Sequence, residues 1–386
     1  MRNTLMLLAV LEILGGCAKP AQTIDTLRPA ALQDRLDRAT AKVPGVAFGA
    51  VLSDGTTLIR TSGMADLASA RPVTADTSFA WFSVTKLFTA AAVLQLSERG
   101  LIDLDASAER YLPGMRLEKD GRKATVRHLL SHTAGIPNPI PVTWIHPAAE
   151  PGPAIEAMIR QRLGSEPALD FVPGTKVAYS NLGYLLLGAI IERVSGEPYT
   201  TYVERHVLVP LGCRGAGFAV PADRATGYQK KWSLTGLLSR TMNDRKYFGP
   251  SRQGYWPLAP FTVDGAPYGG LSGPVDCLLR FAGMTLNGGE GEMGRVLSAT
   301  SVTAMLTPTR LADGALGAFG LAWRIGTVSG EPYADHAGGG GGYVAQLRVY
   351  PRLRYAVAVL GNETSFPTEG FVRIRIELAQ AGPLSR

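Results

Sequence analysis

Cysteine is scarce: the chain has 3 in 386 residues. A disulfide framework is therefore not what the sequence points to. Cys213 and Cys277 read by default as free, buried thiols, with a pair in an oxidising compartment as the alternative. Dense Lys/Arg runs are missing, although the net charge is +7 and the pI about 9.3. That excludes the basic patch of a nucleic-acid binder and leaves a mildly basic, solvated surface. The N-terminal apolar run, Thr4 to Leu14, is too short to cross a bilayer. Internal repeats are absent. No serine has glycine two positions away on both sides, so the nucleophile elbow of the α/β-hydrolases is missing. His128 and His132 have the i, i+4 spacing of a zinc site, but Leu129 stands where a zincin needs glutamate. Neither a metal nor a cofactor is implied.

What is present is an ordinary globular composition, 46% hydrophobic and 18% charged, with 45 Gly and 26 Pro that promise many loops. Met1-Arg2-Asn3, the apolar run and Leu14-Gly15-Gly16-Cys17 read as an export signal. The end of that signal is similar to a bacterial lipoprotein box. This implies a lipid on Cys17 and a periplasm-facing protein held at a membrane; an ordinary cleaved signal is the alternative. Residues 18–42 read as a tether and one amphipathic helix from Ile24 to Lys42, with Pro29 near its start. Val46–Leu52 and Thr56–Thr61 flank Asp54-Gly55 as a hairpin. Helical patterns and breakers fill 100–265. Beyond it come a helix near Pro274–Thr285, strands at Phe319–Val328 and Tyr333–His336, and a hairpin over Tyr343–Leu360. The tail alternates at Val372, Ile374, Ile376 and Leu378, and is expected as a helix covering the sheet. The fold class is α/β (α+β): an antiparallel sheet flanked by helices. Its lobe, 43–99 with 266–386, is split by a mostly helical insertion at 100–265.

The chain is organised around Phe82-Ser83-Val84-Thr85-Lys86. Ser83 and Lys86, at i and i+3, share one face of the first turn of an apolar helix. Trp81, Phe82, Leu87 and Phe88 bury that turn. Burial and the positive end of the helix dipole both disfavour a charged amine, so Lys86 can take the proton of Ser83. One S-x-x-K also arises by chance, so the pair needs support elsewhere. Tyr179-Ser180-Asn181 precedes an apolar helix from Tyr184, and His336-Ala337-Gly338 runs into a glycine stretch ending at Gly342.

In this order the three motifs resemble those of the serine β-lactamase and penicillin-binding protein superfamily. The closest branch is that of class C β-lactamases, D-alanyl-D-alanine carboxypeptidases and related esterases. The segment His128–Ile136, Pro173-Gly174-Thr175, Gly188–Glu192, Pro210-Leu211-Gly212 and Gly269–Ser272 support the resemblance, which spans roughly residues 45–362. It implies a β-lactamase/transpeptidase-like fold. Ser83 would be the acylated nucleophile, Lys86 its base and Tyr179 a proton relay, with the choice of base between Lys86 and Tyr179 open. Asn181 would orient Lys86 and contact substrate. His336, Gly338 and Gly339 would line the substrate, and the N–H groups of Ser83 and Gly339 would form the oxyanion hole.

The third motif departs from the Lys-Thr-Gly of most β-lactamases. A neutral His336 and the missing hydroxyl at Ala337 bind a substrate carboxylate less well. The expected substrate is thus an ester, an amide or a cell-wall peptide, turned over through an acyl-enzyme, rather than a classical β-lactam. A penicillin-binding sensor or a scaffold that acylates without turnover is the alternative.

Overall fold

Strand β2 (Gly45–Val51) shows why this sequence builds two layers around one sheet. Its side chains alternate: Val46, Phe48 and Ala50 join one apolar cluster, Ala47 and Val51 the other. A computed structural model describes residues 23–139, 144–233 and 245–377. The expected leader with Cys17 lies outside these residues, as do Pro141 in the proline-rich stretch and the tail from Leu378.

The sheet has seven antiparallel strands. Besides β2 these are β3 (Thr57–Asp66), β4 (Arg71–Pro72), β5 (Arg324–Val328), β6 (Glu331–Gly340), β7 (Tyr343–Tyr350) and β8 (Tyr355–Gly361). Their order across the sheet is β5-β6-β7-β8-β2-β3-β4. Strand β8 joins the two sequence-distant parts by pairing with β2, Val359 opposite Phe48. The fold is the expected mixed α/β one.

One face is covered by helix α1 (Pro29–Thr40) through Leu32 and Leu36. Pro29 occupies the first turn, where its missing N–H costs no hydrogen bond. The helix therefore cannot begin at Ile24. Residues Asp25–Leu27 instead form β1, paired in parallel with β9 (Ile374–Ile376). This corrects the expected helical tail as well. Ile374 and Ile376 bury their side chains on the α1 face, so the tail covers the sheet as a strand. β-branched alternation outweighed the helix once β1 offered an edge.

The other face carries α5 (Val275–Leu286) and α2 (Thr85–Glu98). A Cβ at Gly49 would lie 2.6 Å from Leu279, so β2 and α5 meet where no side chain fits. Helix α2 is buried on every side from Thr85 to Leu94, as befits a helix apolar all round. It ends at Gly100, whose φ of +72° places it in the left-handed region. From the middle of the chain, helix α4 (Asn181–Ser195) packs against α2, and helix α3 (Val126–Leu130) packs against α4.

Cys213 and Cys277 form a disulfide, with their Cα atoms 5.0 Å apart. The default of free thiols is thereby overturned. Cys213 follows the left-handed Gly212 at the end of a short helix, and Cys277 lies in the first turn of α5. Packing in three dimensions, invisible in a 64-residue separation, brings them together.

Candidate active site

A short 3-10 turn, Phe82–Val84, leads into α2 and presents Ser83. Phe82 has φ +47°, a left-handed conformation that a bulky residue adopts at a cost of about 1–3 kcal/mol. Trp81 anchors the turn: its Nε1–H donates to the Gly273 carbonyl at 3.0 Å, and its ring stacks on Phe88. Ser83 itself is half-buried.

Lys86 is completely buried. Its Nζ lies 3.2 Å from Ser83 Oγ, 2.8 Å from Asn181 Oδ1 and 2.9 Å from the Tyr268 carbonyl. Burial pushes its pKa far below that of a free lysine. A neutral amine has two N–H donors and one lone pair. Two carbonyl oxygens and one hydroxyl are the matching partners.

Ser180 is extended and caps α4, its Oγ accepting the Gly183 N–H at 3.0 Å. Tyr179 and Asn181 flank it, and both reach Lys86, whose Nζ lies 4.9 Å from the Tyr179 ring centre. Burial raises the Tyr179 phenol above its ordinary pKa, and a hydrogen bond with Ser83 only partly opposes this. The phenol is therefore protonated at neutral pH and adjoins the hydroxyl it would serve.

Strand β6 supplies the opposite wall. A Cβ at Gly338 would lie 2.2 Å from the Trp81 carbonyl oxygen and 2.8 Å from the Ser83 nitrogen. Only glycine lets the strand lie this close to the Ser83 amide. His336 is buried, its ring centre 6.2 Å from that of Tyr179, and its Nδ1–H donates to the Ala337 carbonyl at 2.8 Å. Burial, then the nearby Lys86, lowers its pKa to about 3, so it is neutral. Just before it, Asp335 accepts from Arg324 on β5 and Arg348 on β7, which fixes β6 to both neighbours. Burial opposes its ionisation, but these two guanidiniums outweigh that and hold the carboxyl at about 2.

Ser83, Lys86, Tyr179, Asn181, His336 and Gly338 thus converge; Gly339 follows on the same strand, opposite Val344. Cys17 lies outside the described residues. Three contributors carried no signal of their own in the sequence. The Tyr268 carbonyl holds Lys86, Asn138 Oδ1 accepts the Asn181 N–H at 3.0 Å, and the Tyr184 ring lies 5.5 Å from Nζ. The Gly269–Ser272 motif adjoined Tyr268 without pointing to it. His128 and His132 do not share a site: His128 Nδ1 accepts the Thr125 N–H, His132 Nδ1 that of Ser180.

The chain is similar to known proteins over most of its length. The family described as Beta-lactamase matches residues 32–381. The chain is 30% identical to penicillin-binding protein 4 of Amycolatopsis lactamdurans over 364 residues, covering 90% of this chain and 89% of that one. It is 37% identical to esterase EstB of Burkholderia gladioli over 177 residues, 41% and 43% of the two chains. The octameric penicillin-binding protein homologue from Pyrococcus abyssi superposes with a TM-score of 0.72 at 25% identity, over 90% of this chain and 76% of that one.

Proposed function

This chain belongs to the beta-lactamase family and is a serine hydrolase, and from that premise we propose that it hydrolyses an uncharged ester or amide through an acyl-enzyme on Ser83. The observation that carries the reading is the buried Lys86 amine, 3.2 Å from Ser83 Oγ and held by two carbonyl oxygens. Its lone pair takes the Ser83 proton as Oγ attacks the acyl carbon.

Burial moves the two candidate bases in opposite directions. It lowers the Lys86 amine and raises the Tyr179 phenol, which supports Lys86 as base and Tyr179 as the proton donor to the leaving group. The Ser83 and Gly339 amides receive the oxyanion, a term worth about 3–4 kcal/mol per donor. Hydrolysis of the acyl-enzyme by water, with the proton returned along the same groups, releases the acid.

The wall of the cleft favours neutral substrates. His336 carries no charge, and Ala337 offers no hydroxyl to a carboxylate. An esterase and a penicillin-binding protein among the relatives are compatible with this range. Attachment to a membrane through Cys17 belongs to the same proposal. Among the described residues no helix is long and apolar enough to cross a membrane.

The test compares wild type with Ser83→Ala on a chromogenic ester and a chromogenic cephalosporin, with mass spectrometry of the trapped protein. Ester turnover and an adduct on Ser83 are expected in the wild type alone. Equal turnover by both proteins refutes the reading, and an adduct that never clears turns it into that of a sensor.

A further inference from the structure

His132 takes no part in the chemistry above, yet it grips the segment carrying Tyr179 at three points. Its main-chain carbonyl accepts the Ala178 N–H at 2.9 Å, and its ring Nδ1 accepts the Ser180 N–H at 3.2 Å. Between those two anchors its ring lies against the Tyr179 ring, the centres 4.3 Å apart. Tyr184 and Phe319 close the cage at 5.2 and 4.9 Å.

Two costs accompany the arrangement. His132 has φ +58°, the left-handed region that a non-glycine residue avoids. Because Nδ1 accepts, the neutral ring carries its proton on Nε2, and that buried N–H has no hydrogen-bond partner among the described residues. A phenylalanine would fill the same cage without burying an unpaired donor. The histidine is therefore explained by its acceptor at Nδ1, not by packing.

We propose that His132 is the positioning residue for Tyr179: it holds Ala178 and Ser180 on either side so that the phenol stays beside Ser83 and over Lys86. A ring that must accept at Nδ1 has to remain neutral. The groups facing it are Lys86, His336, Tyr179 and Tyr184, and burial among them keeps it so. This inference rests on the role of Tyr179 given above.

The experiment is a double-mutant cycle on ester hydrolysis with His132→Phe and Tyr179→Phe. With Tyr179 intact, His132→Phe is expected to lower kcat at least about tenfold with KM within about twofold. In the Tyr179→Phe background it is expected to cost less than about twofold. His132→Asn, whose Oδ1 can accept from Ser180, is expected to retain more of kcat than His132→Phe. Equal losses in both backgrounds, or none in either, overturn the proposal. Should the variants fail to fold or the ester not be turned over, nitrogen NMR of the wild-type imidazole decides. An unprotonated Nδ1, a protonated Nε2 and a Ser180 amide protected from exchange support it; a protonated Nδ1 refutes it. The Ser83→Ala comparison fails separately, because the NMR result does not depend on turnover.

Discussion

Asn181 Oδ1 and Lys86 Nζ lie 2.8 Å apart, joining residues 95 positions distant in the chain. The amide does for the amine what water would do outside, but in only one orientation. Asn181→Ala leaves the Tyr268 carbonyl as the single fixed acceptor, so the lone pair no longer aims at Ser83. A loss of about 10- to 100-fold in kcat is expected, corresponding to one hydrogen bond to a charged or polarised group. Lys86→Arg should lose at least about 10³-fold, because a guanidinium does not give up its proton. Steady-state kinetics on the chromogenic ester checks both. Retention of half the activity by Lys86→Arg would remove Lys86 as the base.

The third motif makes a prediction about selectivity. Ala337→Thr puts a hydroxyl on the residue between His336 and Gly338 without altering Ser83, Lys86 or Tyr179. The ratio of kcat/KM for an anionic acyl substrate to that for its neutral ester analogue should rise about three- to tenfold, the worth of one added hydrogen bond. An unchanged ratio would mean that the wall at residue 337 does not read charge.

Gly338 makes a geometric prediction. Alanine there drives β6 away from the Trp81 carbonyl and the Ser83 amide. Activity should fall at least about 100-fold, since a displacement near 1 Å suffices for that. Gly283→Ala on α5, where a Cβ meets nothing within 4 Å, should be neutral or slightly stabilising. Thermal unfolding and ester kinetics on both variants separate the two cases.

Acid should weaken the fold in a defined window. His128 and His336 are lowered to about 4 and about 3 by burial, and His132 lies well below 6.5 for the same reason. The native state thus stays unprotonated while the unfolded chain binds protons below about pH 6.5. Their contribution is complete above pH 6.5. It declines as the pH falls, through about 4 for His128 and about 3 for His336. His128→Gln keeps the cap of α3, since glutamine serves in the same capping box with Thr125. Urea midpoints between pH 7.5 and 4.5 should fall less steeply for this variant, by one proton's worth of slope. Identical slopes would show that His128 titrates alike in both states.

Much of the site was legible in the sequence because its parts are local words. Ser83 and Lys86 share one helical turn. Tyr179 and Asn181 flank one capping serine, and His336 leads a glycine run whose purpose is close approach. The β2–β3 hairpin announced itself through Asp54-Gly55, and α5 through Pro274, which stands at its N-cap rather than inside its first turn. What was hidden depends on partners far along the chain. Nothing near Tyr268 shows that its carbonyl faces an amine 182 residues away. Nothing in the Val372–Ile376 alternation shows that β1 offers it an edge. His132 read as a motif letter and a rejected metal ligand, because ring stacking and a backbone acceptor leave no trace in spacing.

The sheet also has a temporal side. The turn that carries Ser83 ends at Val84, whereas the strand that presses against it begins at Glu331. A nascent chain carrying only the first three hundred residues holds the alcohol and the amine but not the glycine strand that packs against them. During synthesis, the acyl chemistry proposed for Ser83 has to wait until residues 331–340 have emerged and paired.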